Sequence, residues 1–227
     1  HRLIAGEKPV LIPWKQRGDA DCIFVHAREP ERAADLVVQA VVRELPRLGF
    51  DYGEIQVITP MHRGALGVAE LNRRLQQALN PPRAQKGELS AGGQTLREGD
   101  RVLQVVNNYD KAVYNGEIGR VMRVNAAERI VVVAFDDQDV SYDYSELDQL
   151  QLAYAMTIHK SQGSEYPAVV ICMHSAHYVM LRRNLLYTAL TRAERLALII
   201  GNSAGVMRAA TNAEEMHRNT RLAERLR

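Results

Sequence analysis

The chain has 227 residues, of which 46% are hydrophobic and 25% charged, and a net charge of +2. This is the mixture of a globular protein with room for one large domain, or for a domain of about 150 residues with a smaller companion. No apolar run approaches the ~18 residues of a membrane span, the opening residues lack the charged-then-apolar order of an export signal, and 2 cysteines are too few for a disulfide framework, so a cytoplasmic protein is expected.

Residues 1–19 carry Gly6, Pro9, Pro13 and Gly18 without a sustained period and read as a connecting segment. Residues 22–26 are strand-like. Over 29–45, Ala33, Leu36, Val37, Ala40 and Val41 share one face of an amphipathic helix that Pro46 ends. A second apolar strand, 55–59, leads through a Pro-Met-His-Arg-Gly loop to a helix over 65–79, stopped by Asn80-Pro81-Pro82. The β-α-β-α order predicts a parallel sheet.

After Ala84 the pattern changes. Gly87, Gly92, Gly93 and Gly99 punctuate a loop, and short strands follow at 101–106, 117–125, 130–135 and 140–144 with no helix among them. They predict a small β-barrel at 91–150, inserted into an α/β lobe formed by 20–90 and 151–227. Asn115-Gly116 has the composition of a hairpin turn with positive φ at both positions, and Gly119 also reads as a turn residue. Helical pattern returns at 155–163, followed by a strand at 168–173, a helix over 182–193 and a strand at 196–201. Residues 212–227 are polar, Arg-rich and helix-compatible. Residues 182–227 hold 9 Arg against 4 Glu, whereas 91–150 hold 6 basic against 11 acidic residues. That asymmetry is compatible with one face that meets phosphate and another that avoids it.

Cys22 and Cys172 sit in apolar runs and read as small buried hydrophobes. His174 and His177 lack zinc-ligand spacing, and no metal site is expected. The densest chemistry lies in 155–166, where Thr157, His159, Lys160, Ser161 and Gln162 stand nearly side by side. Hydroxyl, imidazole and ammonium groups all donate to phosphate oxygens, and a helix N-terminus at 155–157 would add backbone donors. A solvated helix face is the plainer alternative.

The run Thr157-Ile158-His159-Lys160-Ser161-Gln162-Gly163-Ser164-Glu165-Tyr166 resembles motif V of superfamily 1 helicases, in particular the RecD type. Residues 184–193, Asn-Leu-Leu-Tyr-Thr-Ala-Leu-Thr-Arg-Ala, resemble motif VI, and 58–64, Ile-Thr-Pro-Met-His-Arg-Gly, resemble motif IV. The runs Glu98-Gly99-Asp100-Arg101-Val102, Asn107-Asn108-Tyr109-Asp110-Lys111 and Tyr114-Asn115-Gly116-Glu117-Ile118-Gly119 resemble the SH3-like insert of RecD-type helicases. The resemblance implies a RecA-like second motor lobe interrupted by an SH3-like barrel. It implies that Arg192 reaches the γ-phosphate of ATP and that Arg63 is a second, nucleotide-facing catalytic arginine, with Glu165, Gln162, Gly163 and Tyr187 on the nucleotide side. Thr157, His159, Lys160 and Ser161 would hold DNA, as would Asn107, Asn108, Tyr109 and Lys111 on the insert, which a plain polar hairpin explains equally well.

No GxxxxGK[ST] loop and no acidic Mg²⁺ motif occurs in the chain, although a P-loop motor needs both. ATP and Mg²⁺ are therefore expected to be bound mainly by a preceding lobe, and the chain is expected to be a piece of a longer protein. The resemblance further implies single-stranded DNA and its junctions with duplex as partners, 5′ to 3′ movement, and other subunits of a helicase–nuclease complex as further partners. The helicase part of a conjugative relaxase, or a nucleic-acid-binding module that has lost its motor, remain as other readings.

Overall fold

The computed structural model describes residue 3 and residues 7–136 and 138–213. The expected helix at 212–227 lies almost wholly outside them. A short stretch before the first strand is tied down: Phe24 N–H donates to the Ile12 carbonyl at 2.8 Å, and Arg17 stacks on Trp14.

Five strands form one parallel sheet. They are β1 (Cys22–His26), β2 (Ile55–Thr59), β10 (Ala155–Thr157), β11 (Tyr166–Met173) and β12 (Ala193–Gly201), in the order β1-β12-β11-β2-β10. Strands covered on both faces must be apolar throughout, and Ala168 to Met173 are all buried. Successive side chains point to opposite faces. Val170, Cys172, Leu198 and Ile200 therefore meet α1 (Pro30–Gln39) and α2 (Val68–Leu79), while Val169, Ile171, Ala197 and Ile199 meet α3 (Arg183–Leu190) and α4 (Ser203–Thr211). Cys172 is fully buried, and burial pushes its thiol up to about 12; Cys22 is half-buried. Among the described residues no helix is long and apolar enough to cross a membrane.

Between α2 and β10 the chain builds a second layer with its own core. The strands β5 (Arg101–Gln104), β6 (Ile118–Asn125), β7 (Ile130–Ala134), β8 (Asp139–Asp143) and β9 (Leu150–Leu152) form an antiparallel sheet in the order β8-β7-β6-β5-β9. The hairpin β3 (Glu88–Ala91) and β4 (Gln94–Arg97) adds Ala91 and Leu96 to a core of Val102, Val121, Val131, Val133 and Tyr142. This hairpin lies where the sequence reads as a loop. Its Gly92 and Gly93 have φ of 59° and 80°, the left-handed pair that a two-residue hairpin turn requires.

Three local expectations are corrected. Residues 155–157 are a strand rather than the start of a helix, because Ala155, Met156 and Thr157 are all buried and pair with Val57, Ile58 and Thr59 of β2. Ladder bonds and burial on both faces outweigh the local helical spacing. At the Asn115-Gly116 turn only Gly116 has positive φ, at 104°. Gly119 is not a turn residue either: it pairs with Val102 inside the barrel, and a Cβ there would meet Val133 Cγ1 at 2.6 Å and the Ala134 carbonyl at 2.8 Å.

Candidate nucleotide and nucleic-acid site

At the carboxyl end of β2 and β10 two loops lie side by side, since the Ile158 N–H donates to the Thr59 carbonyl at 3.1 Å. The loop after β2 carries Arg63, whose side chain is exposed. It is folded back on itself: Thr59 Oγ1 donates to the Leu66 carbonyl at 2.6 Å, and a Cβ at Gly67 would lie 2.5 Å from the Arg63 carbonyl carbon. Only glycine lets the loop close there.

In the turn after β10, each polar side chain has a different fate. Thr157 is buried, and its Oγ1 accepts from the Lys160 N–H at 3.2 Å, while Ser161 is fully buried and donates to the Ile158 carbonyl at 2.8 Å. These two hydroxyls shape the turn. His159 is exposed, and the half-buried Lys160 donates to Gln151 Oε1 at 3.2 Å, with burial lowering its pKa. His159 and Lys160 are the donors that this turn presents.

The segment then crosses back to the start of β11. Gln162, Gly163 and Glu165 are exposed, and Gly163 has φ of 91°. Arg192 stands at the other side of this crossing, at the end of α3. Its Nη1 donates to the Ser164 carbonyl at 2.9 Å, its Nε to the Thr188 carbonyl at 3.3 Å, and its own carbonyl accepts from the Tyr166 N–H at 2.9 Å. Tyr187 is exposed on α3. Arg192 and Arg63 thus leave the sheet from opposite ends of its parallel strands: Arg192 groups with Ser164 and Glu165, and Arg63 with His159 and Lys160. Ser164 and Thr188, the groups that aim Arg192, escaped sequence reasoning because they act through backbone carbonyls.

On the barrel, Asn107 and Asn108 brace their own loop. Asn107 Oδ1 accepts from the Asn115 N–H at 2.9 Å, and Asn108 donates to Gln149 Oε1 at 3.0 Å. Lys111 is held by Glu146 and by the Ser141 carbonyl, so its charge is largely spent within the barrel. What the loop offers outward is aromatic. Tyr109 is 75% exposed and Tyr114, which sequence reasoning left out of the candidate set, is 46% exposed. Their rings meet edge to face with centroids 6.1 Å apart. Among the described residues no three His, Cys, Asp or Glu side chains gather, and no magnesium ligand is assigned to this chain.

Residues 71–135 match the family model described as the SH3 domain of ATP-dependent RecD-like DNA helicases, and residues 152–200 match that of the UvrD-like helicase C-terminal domain. In fold the chain is similar to a Pif1 helicase from Bacteroides crystallised with ADP-AlF3 and ssDNA, with a TM-score of 0.51, 21% identity, and 82% of this chain and 52% of that chain covered. Together with the parallel sheet these define the class, a helicase C-terminal lobe with an SH3 insert. The chain is 40% identical over 227 residues to an ATP-dependent RecD2 DNA helicase of Deinococcus radiodurans, and 31% identical over 212 residues to a RecBCD enzyme subunit RecD of Mycobacterium tuberculosis. It belongs to the RecD-like helicases. All of the chain is covered by the first match and 89% by the second, but it spans only 29% and 36% of those two relatives.

Proposed function

We propose that this chain is the second motor lobe of an ATP-dependent DNA helicase that converts ATP hydrolysis into movement along single-stranded DNA. The observation that carries this reading is the placement of Arg192, held by two backbone carbonyls where α3 ends and the Ser164–Glu165 segment begins. A planar, permanently charged guanidinium fixed in direction suits the negative charge that spreads over a transferring phosphoryl group. In this reading Arg192 meets the phosphate tail of a nucleotide held by another lobe, Glu165, Gln162 and Gly163 flank it, and Tyr187 lies alongside. Arg63, at the other end of the sheet, belongs with the strand-contacting turn on geometry, and a phosphate of either nucleotide or DNA is its ligand.

His159 and Lys160 contact the DNA backbone without reading sequence, while Thr157 and Ser161 hold their turn in shape. Tyr109 and Tyr114 offer rings on which bases stack. ATP supplies the free energy; the residues of this chain orient, neutralise charge and hold the strand. The lobe alone is inactive in this proposal, because the P-loop lies elsewhere. Movement 5′ to 3′, action at single-strand to duplex junctions, assembly with nuclease subunits and a cytoplasmic place follow from likeness to RecD proteins alone. DNA-stimulated ATPase activity of the full-length protein, wild type against Arg192→Ala at saturating single-stranded DNA, tests the reading. A loss of about 10³-fold with nucleotide binding kept supports it. Unchanged turnover leaves the chain a binding module.

A further inference from the structure

α2 buries an apolar face, yet one line along that face is polar. Asn72, Gln76 and Asn80 follow at one-turn spacing and are 3%, 5% and 5% exposed. Buried amides are costly unless bonded, and all three are bonded to the barrel or to the strands that join it to the lobe. Asn72 Nδ2 donates to the carbonyls of Leu152 in β9 and Ala155 in β10, at 2.8 and 2.9 Å, and its Oδ1 accepts from the Ala155 N–H at 2.7 Å. It clamps the chain where the barrel ends and the lobe resumes.

Gln76 and Asn80 converge on Asp100, which is fully buried at the start of β5. Gln76 donates to its Oδ2 at 2.6 Å and Asn80 to its Oδ1 at 2.7 Å; the Arg97 N–H and the Tyr154 hydroxyl add bonds of 2.7 and 2.8 Å. Burial, with Asp100 beside it, raises the pKa of the Tyr154 hydroxyl and keeps it a donor. Hydrogen bonds to a carboxylate are stronger than neutral ones, so one carboxylate joins α2, the end of β4 and the β9–β10 link.

Side-chain packing does not do this work on the neighbouring side. There a cleft of about 850 Å³ separates lobe from barrel, lined by Val41, Tyr52 and Leu79 from the lobe and by Arg120 and Phe135 from the barrel. Further ties are few and polar or partly exposed, such as Arg101 Nη1 to the Ile55 carbonyl at 3.3 Å and Lys160 to Gln151, and an insert flanked by a cleft tilts unless something firmer holds it. The family match at residues 71–135 begins inside α2 and takes in all three amides and Asp100, which marks α2 and the barrel as one unit.

We propose that Asp100, with Asn72, Gln76 and Asn80, is a lock of positioning residues that makes barrel and lobe one rigid body. The Tyr109–Tyr114 pair and the His159–Lys160 turn then advance together when the lobe moves. The use of the lock rests on the proposed function; its rigidity does not.

The test places spin labels at exposed Arg32 of α1 and Arg123 of β6 in the full-length protein, with other reactive cysteines replaced, and reads the distance between them by pulsed electron resonance. The wild-type distribution is expected to be narrow with and without oligo-dT. Asp100→Asn replaces one of the two acceptor oxygens with an amide donor, which then faces either Gln76 and the Arg97 N–H or Asn80 and the Tyr154 hydroxyl, and broadens it. Base pairs unwound per ATP then fall about tenfold, a loss in the usual range of site-to-site coupling, while DNA-stimulated ATPase changes little. If Asp100→Asn does not fold, Tyr154→Phe, which removes one donor and keeps the ring, replaces it with a smaller broadening expected. An unbroadened distribution in the folded variant overturns the lock, as does a broad one in the wild type. Broadening with unwinding per ATP unchanged overturns its role in movement. A wild type without any DNA-stimulated ATPase would refute the proposed function and leave the label distances to decide the lock.

Discussion

Arg192 reaches across from the end of α3 to the carbonyl of Ser164 at 2.9 Å, so that its side chain reinforces the backbone bond from the Tyr166 N–H to its own carbonyl and ties together two segments far apart in the chain. With the Thr188 carbonyl as the second anchor and the Thr191 hydroxyl accepting from Nη2 at 3.3 Å, the guanidinium is aimed mainly by backbone atoms. A lysine has a single point of charge and cannot span both carbonyls while facing a third group. Arg192→Lys in the full-length protein is therefore expected to lose nearly as much DNA-stimulated ATPase as Arg192→Ala, about 10³-fold. Steady-state turnover at saturating DNA checks this, and near-normal activity in the lysine variant would show that charge alone suffices.

The exposed Tyr109–Tyr114 pair predicts that stacking, rather than the committed charge of Lys111, ties the barrel to single strands. Tyr109→Ala is expected to weaken oligo-dT binding by ~1–3 kcal/mol, and Tyr109→Phe to leave it nearly intact. Fluorescence anisotropy with labelled oligonucleotide distinguishes the two. Equal losses in both variants would point to the hydroxyl instead.

His177 makes the stability of the lobe sensitive to mild acid. It is buried with no hydrogen-bond partner at Nδ1, and burial, helped by nearby His174, brings its pKa down to about 4. A free imidazole titrates near 6.5, so below that pH the unfolded chain takes up a proton that the folded chain refuses. Stability is full at pH 7, falls as pH drops below about 6.5, and stops falling near 4. Between pH 7 and 5 this linkage costs about 2 kcal/mol. Urea denaturation at both values should show a smaller drop for His177→Asn than for wild type; equal drops would remove His177 as the cause.

The barrel core predicts a steric effect at Gly119. Alanine there must displace Val133 or the Ala134 backbone, and overpacking of this kind costs ~1–3 kcal/mol. Thermal unfolding of Gly119→Ala is expected at a lower midpoint, while Gly116→Ala acts through its positive φ and not through crowding. A Gly119→Ala midpoint equal to wild type would show that β6 and β7 separate freely.

Strands at 22–26 and 55–59 were legible residue for residue, because each is a short, mostly apolar, β-branched-rich run bounded by polar or turn residues. β10 was not. Its three residues become a strand only by pairing with β2, whose sequence lies on the other side of the barrel, and a short window contains no sign of that partner. The β3–β4 hairpin hid behind strands of 4 residues each, though Gly92-Gly93 was the sign to follow. At the candidate site, sequence reveals which side chains can donate but not which are already engaged. Glu146 claims Lys111 from 35 positions away, and the Ile158 carbonyl claims the Ser161 hydroxyl. Asn72 and Gln76 passed unnoticed because a polar residue on an apolar helix face explains itself only when its partners are in view, and Asp100 was legible as part of the insert's motif but not as their partner.

The order of strands carries a consequence for how the chain is born. β1, the first of these five strands in chain order, pairs along its length with β12, and β2 meets neither β10 nor β11 until the whole barrel has been synthesised. The barrel, by contrast, is contiguous in sequence, and all five strands of its main sheet are present once β9 is made. A barrel that closes early holds its two ends together and shortens the loop that β2 and β10 must otherwise close, which lowers the entropic cost of their pairing. The insert is in this sense a folding scaffold for the sheet that surrounds it, and lesions in its core will surface first as lobes that fail to assemble.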